Sequence, residues 1–140
     1  MLNAPVQPLI QSNRQYSFYC SSISAGFPSP ADDYIEQQLD LNDLLIKHPV
    51  ATFFLRANGH AMLHAGIHDQ DILIIDRSLP LRSGCIVIAV IDGQLTVRQL
   101  KKTARKIYLL CGDDELSIME IKPENDIHLW GVVTHVIHPV

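Results

Sequence analysis

Few residues in this chain of 140 have both the type and the spacing for chemistry. His60, His64 and His68 recur every four positions, which on a continuous helix would align three imidazoles on one face and could hold a divalent cation. Gly66 interrupts such a helix, no second ligand cluster accompanies it, and Asp69 begins a strand turn. The three therefore read as an exposed, irregular set, and neither a metal nor a cofactor is expected. Cys20, Cys85 and Cys111 are odd in number and lack a paired ligand spacing. Cys85 and Cys111 sit in apolar runs and read as small buried hydrophobes. Cys111 would need an activating base to act as a nucleophile, and none lies near it in sequence. His135 and His138 fall in or just after the last apolar run, where alternation would place Val133, His135 and Ile137 on one face and Val132, Thr134 and Val136 on the other. One backbone feature also stands out: Ala25-Gly26, a bond between two small residues just before Phe27-Pro28-Ser29-Pro30. Small residues let another backbone approach closely, and a residue before Pro favours extended chain, so this stretch suits lying strand-like in a cleft. It equally suits opening a helix through the Ser29-Pro30 cap.

The elements that must position these residues follow from periodicity. Residues 1 to about 25 are rich in Ser, Asn, Gln and Pro without a sustained period, and read as a flexible or loosely docked arm. Ser29-Pro30 followed by Asp32 and Asp33 predicts a short helix from Pro30 to about Gln38. A second turn or helix is expected around Asn42-Asp43-Leu44-Leu45. From residue 50 the texture becomes that of strands: Thr52–Arg56, Asp71–Asp76, Cys85–Ile91, Gln94–Leu100, Lys106–Cys111, Leu116–Ile121 and His128–Ile137 are rich in Ile, Val and Leu and separated by Gly, Pro, Asp and Asn. Asp92-Gly93 between two such runs is the signature of a tight hairpin. The expected fold is a compact, mainly β, antiparallel domain with short helices and an N-terminal arm, divided as 1–25 and 26–140, with the core at about 50–138.

Composition narrows the function classes. With 47% hydrophobic and 19% charged residues, the chain is apolar enough to suggest that part of its surface meets a partner. A net charge of −4 argues against clamping DNA through its own phosphate contacts, because those need clustered Lys and Arg. The densest basic run, Lys101-Lys102 to Arg105-Lys106, reads as a solvated turn. There is no basic segment followed by an apolar stretch of about 7–15 residues, and no apolar run of about 18, so a cytoplasmic protein is expected.

A family resemblance is carried by specific stretches: Ala25-Gly26-Phe27-Pro28-Ser29-Pro30, Asp40-Leu41-Asn42, Ala51-Thr52-Phe53-Phe54, Gly59 and Met62, Asp69 to Asp76, Thr96-Val97, and Trp130-Gly131-Val132-Val133-Thr134-His135-Val136. Through these, from about Ala25 to Val136, the chain resembles the UmuD group within the LexA-like family of self-processing peptidases, the S24 type. The resemblance implies a LexA C-terminal-like β domain. It also implies a serine ahead of the Met, a lysine after Thr-Val, and cleavage of the protein's own arm at an Ala-Gly or Cys-Gly bond. Carried across by position, the nucleophile place is held by Ala61, the base place by Arg98, and the scissile bond is Ala25-Gly26. His60 stands where the family has an acidic or small polar residue.

Alanine has no heteroatom with which to attack a carbonyl, and a guanidinium does not give up its proton as a buried ammonium can. The resemblance thus implies a UmuD-like accessory or regulatory subunit of an SOS-induced, error-prone translesion polymerase that is unable to cleave itself. Its partners would be a second copy or a related subunit, a UmuC-like Y-family polymerase subunit, and the RecA filament on single-stranded DNA. Neither a membrane nor direct sequence-specific DNA binding is expected. Two other readings stand beside this one. The chain could be an active Ser/Lys peptidase whose serine has been replaced by alanine, or a LexA-type regulator acting through a DNA-binding partner, since a 25-residue arm cannot hold a DNA-binding module.

Overall fold

The computed structural model describes residues 15–19, 23–27, 36–112 and 117–140. These belong to two compact units, one within Leu9–Lys47 and the other within His48–Val140.

In the first unit, β1 (Tyr16–Tyr19) pairs antiparallel with β2 (Glu36–Leu39), Tyr16 opposite Leu39. A helix, α1 (Leu41–Leu45), follows. Asp40 caps it, its Oδ1 accepting the Asn42 N–H at 2.9 Å, and Asp43 adds a negative charge to the first turn. This is the short helix expected around Asn42 to Leu45. The helix expected from Pro30 to Gln38 lies partly outside the described residues, and its described end, 36–38, is strand. Here pairing with the aromatic β1 outweighs local helix propensity. β1 itself falls within the segment read as an unpatterned arm: four residues, Tyr-Ser-Phe-Tyr, are too short a run to register as a period.

Among its described residues the second unit holds seven strands: β3 (Thr52–Arg56), β4 (Ile72–Asp76), β5 (Ile86–Ile91), β6 (Gln94–Lys102), β7 (Ile107–Leu110), β8 (Ile118–Glu120) and β9 (Ile127–Ile137). They form one antiparallel sheet in the order β3-β4-β9-β5-β6-β7-β8. β5 shows why the apolar runs are continuous rather than alternating. Ile88 packs with Leu55, Met62, Leu73, Ile75 and Val97, whereas its neighbours Val87 and Ala89 pack with Leu100 and Leu109. The sheet therefore buries both faces at its centre, and all three residues are inaccessible.

Two features shape how strands meet. The β5–β6 turn is Asp92-Gly93, both in the left-handed region at φ 51° and 79°, the geometry that an Asp-Gly hairpin favours. Along β9, the register shifts twice. Against β4, His135 faces Ile74 and Val133 faces Ile75, leaving Thr134 as an extra residue. Against β5, Gly131 faces Ile88 and Leu129 faces Ala89, leaving Trp130 extra. Strict alternation therefore fails for β9. The Thr134 bulge puts Val133 and Val136, expected on opposite faces, against the same core cluster.

Candidate functional site

In the second unit a cleft of about 190 Å³ opens between the segment after β3 and the first half of β6. One wall is Ala57, Asn58, Gly59, Ala61 and Met62, with Ile67 behind; the other is Gln94 to Arg98. The two positions singled out from sequence, Ala61 and Arg98, thus line one cleft though they are distant along the chain.

The first wall is held from within and from beside. Met62 is buried in the core cluster with Leu55, Ile67 and Leu73, which leaves its neighbour Ala61 facing outward. Gly59 adopts φ 100°, a conformation open to glycine and strained for other residues. Its N–H donates to Asp69 Oδ1 at 2.6 Å. That donated hydrogen bond is the main reason the Asp69 carboxyl sits below the ordinary carboxylate range, partial desolvation acting the other way. Parallel backbone bonds lace the two segments together: Gln70 N–H to Ala57 carbonyl and Ala57 N–H to Asp71 carbonyl, both 2.8 Å. Arg56 adds a guanidinium bond to the Gln70 carbonyl at 3.0 Å.

The second wall is strand. Arg98 stands opposite Val87, half-buried, and its Nη1 donates to the carbonyl of Val97 at 2.7 Å. Its stem lies along the sheet and its head folds back onto its own strand. Thr96 is tied down by its hydroxyl, which donates to the Ala89 carbonyl at 2.9 Å. Neither Ala61 nor Arg98 offers a group that can both lose a proton and attack a carbonyl. The other cleft side chains are an amide pair, Asn58 and Gln94, one hydroxyl, Thr96, and aliphatic groups.

The remaining candidates are dispersed. His60 and His64 are exposed, and only Leu63–Ala65 forms a single 3-10 turn, ended by Gly66 at φ 81°, so no continuous helix aligns the three histidines. His68 instead meets a residue that sequence spacing did not pair with it. Its ring stacks on that of His138, centroids 4.2 Å apart, with the carboxylate of Asp71 beside both. His135 is exposed, its Nδ1 3.1 Å from Thr134 Oγ1. Cys85 and Cys111 are unoxidised and half-buried, each packed against core, as small hydrophobes would be; Cys20 lies outside the described residues. Ala25 and Gly26 are exposed in a bend, where Ser24 Oγ accepts the Gly26 N–H at 3.2 Å and donates to the Phe27 carbonyl. At this point the chain is turned rather than extended.

An antiparallel sheet with this strand order, one short capped helix and a cleft beside the Gly59–Met62 segment defines a LexA C-terminal-like β domain. The chain belongs to the Peptidase S24-like family, whose model matches residues 17–134, and within it is UmuD-like. It is 45% identical over 134 residues to the protein ImpA of Salmonella typhimurium, covering 96% of this chain and 91% of ImpA. To the protein MucA of the same species it is 44% identical over 126 residues, covering 88% of this chain and 86% of MucA. The LexA repressor of Glaesserella parasuis is 33% identical over 116 residues, 82% of this chain but 55% of the repressor. No described helix is long and apolar enough to cross a membrane.

Proposed function

We propose that this chain is a UmuD-like regulatory subunit of an SOS-induced, error-prone translesion DNA polymerase, and that it does not cleave itself. The observation that carries the second part is the pairing of Ala61 with Arg98 in one cleft. Two side chains occupy the places of nucleophile and base, and the hydroxyl and the removable proton are both missing. In a Ser/Lys mechanism the hydroxyl gives its proton to a neutral amine as it attacks the carbonyl. Alanine has nothing to give, and a guanidinium holds its proton where a buried ammonium can lose one, so it offers no free lone pair to act as base. The Ala25-Gly26 bond is then a substrate held by a protein that cannot cut it, and the arm ahead of Gly26 stays attached unless another protomer removes it.

The likeness to ImpA and MucA, at 45% and 44% identity along 91% and 86% of their lengths, supports the subunit reading, whereas the LexA repressor is 33% identical. On this reading the chain is cytoplasmic and pairs with itself or a related subunit. It engages a UmuC-like Y-family polymerase subunit and meets RecA on single-stranded DNA without reading DNA sequence itself.

Incubation with RecA, ATP and single-stranded DNA, or at alkaline pH, tests the loss of cleavage by mass spectrometry. The unaltered chain, Ala61→Ser and Arg98→Lys should all keep full mass, and only the double variant should release a fragment beginning at Gly26. Cleavage by the unaltered chain overturns the proposal. Cleavage by Ala61→Ser alone favours instead a peptidase that has lost only its serine. Co-purification with a UmuC-like subunit tests the partner.

A further inference from the structure

We propose that His68, Asp71 and His138 form a binding site for one divalent transition-metal ion of the zinc class, distinct from the cleft. One ligand atom from each residue lies within 4.8 Å of the others. His138 Nδ1 is 2.6 Å from Asp71 Oδ1, and His68 Nδ1 is 3.7 Å from Oδ2.

The site is built by the fold rather than by loose side chains. His68 and Asp71 flank a tight turn in which Gln70 takes φ 70°. The turn is closed by the Asp71 N–H donating to the His68 carbonyl at 3.2 Å and by the His68 N–H donating to Asp71 Oδ2 at 2.7 Å. His138 arrives from the far end of the chain because Ile137 of β9 pairs with Ile72 of β4, which sets the residue after Ile137 beside the residue before Ile72. The carboxylate is wholly buried, whereas the imidazoles remain 47% and 40% exposed. An ion can therefore reach the nitrogens from water and find the anion already fixed behind them.

The chemistry of the set selects the ion. Two imidazoles and one carboxylate suit zinc and its neighbours, whereas calcium and magnesium take all-oxygen shells. Ligand bonds of about 2.0–2.1 Å put tetrahedral donor atoms roughly 3.3 Å apart. The His138–Asp71 separation would open slightly to reach this and the His68–Asp71 separation would close, both within ordinary side-chain motion. The rings now stack at 4.2 Å, and because imidazole nitrogens ligate through lone pairs in the ring plane, both rings would turn about their side-chain bonds to converge on one ion. An imidazole must offer an unprotonated nitrogen to bind an ion, so metal and protons compete and binding should tighten from about pH 6 to pH 8. The fourth position is left to water. Once bound, the ion would join the end of β9 to the turn whose Asp69 holds Gly59 at the cleft wall.

The test uses the full, tag-free chain, stripped with a chelator and titrated with Zn2+ by calorimetry, with Tm followed in parallel. One ion per chain should bind, and Tm should rise by about 3 °C or more at saturation. Co2+ should give the intense visible absorption of a four-coordinate site. His68→Ala and His138→Ala should each weaken binding at least about tenfold, while His64→Ala leaves it unchanged. If His138→Ala does not fold, His138→Asn keeps a donor toward Asp71 and should still lose the ion. The proposal is overturned if no saturable binding is seen, or if binding survives both histidine substitutions.

Discussion

Gly131 shows how far a single position can be dictated by its surroundings. A Cβ there would lie 2.6 Å from Ile75 Cγ2 and 3.1 Å from Arg77 Cγ. Ile75 is inaccessible and β-branched, so its methyl has little room to retreat. Arg77 is pinned over the Trp130 ring at 4.4 Å and bonded to the Trp130 carbonyl at 2.9 Å. Gly131→Ala should cost about 1–3 kcal/mol by overpacking, measured as a shift in the urea midpoint at constant slope. The chemistry at this scale was partly legible. Ala61 and Arg98 could be marked because each sits inside a recognisable local stretch, and what each side chain lacks needs no structure to state. The His68–Asp71–His138 grouping could not. A regular spacing of four points to His60, His64 and His68 and says nothing of this grouping, because His138 reaches Asp71 only through strand pairing across most of the chain.

Elements are where sequence reading succeeds and then stops. Residues 52–137 carry seven strands close to the seven apolar runs, since a sheet buried on both faces makes its strands visible as Ile/Val/Leu blocks. The order of those strands was not legible, because nothing local says that β9 enters between β4 and β5. Nor were its bulges, since one extra residue leaves no compositional mark and yet moves Val133 and Val136 onto one face. The Asp92-Gly93 turn was legible because its two positive φ angles restrict the residues that fit. Gly93→Ala should therefore destabilise the β5–β6 hairpin by about 1–2 kcal/mol, seen as a lower Tm. Since β6 carries Thr96 and Arg98, faster amide exchange should appear along that cleft wall.

For the whole molecule, the response to acid follows from Asp76, which lies at the end of β4 and is 4% exposed. Burial pushes its carboxyl up, but the Ser78 hydroxyl and N–H at 2.6 and 2.8 Å and the His48 ring at 2.5 Å outweigh that and hold it below the ordinary range. A carboxyl depressed in the folded state contributes stability that is present above its unfolded value of about 4 and is lost as pH falls through the folded one. Asp76→Asn keeps one acceptor but loses the charge, and should cost about 1–3 kcal/mol at pH 7. Urea unfolding at pH 7 and at pH 3 should show the gap between the two proteins narrowing in acid. The strand order has a consequence of another kind. The β3–β4 hairpin and the β5-to-β8 meander are each made of sequence neighbours, yet they become one sheet only when β9 fills the space between them. During synthesis both halves leave the ribosome with an open edge, and the strand that seals them is made after the other six. The sheet can therefore close only once β9 has been made, and until then the nascent chain exposes edges that chaperones are suited to shield.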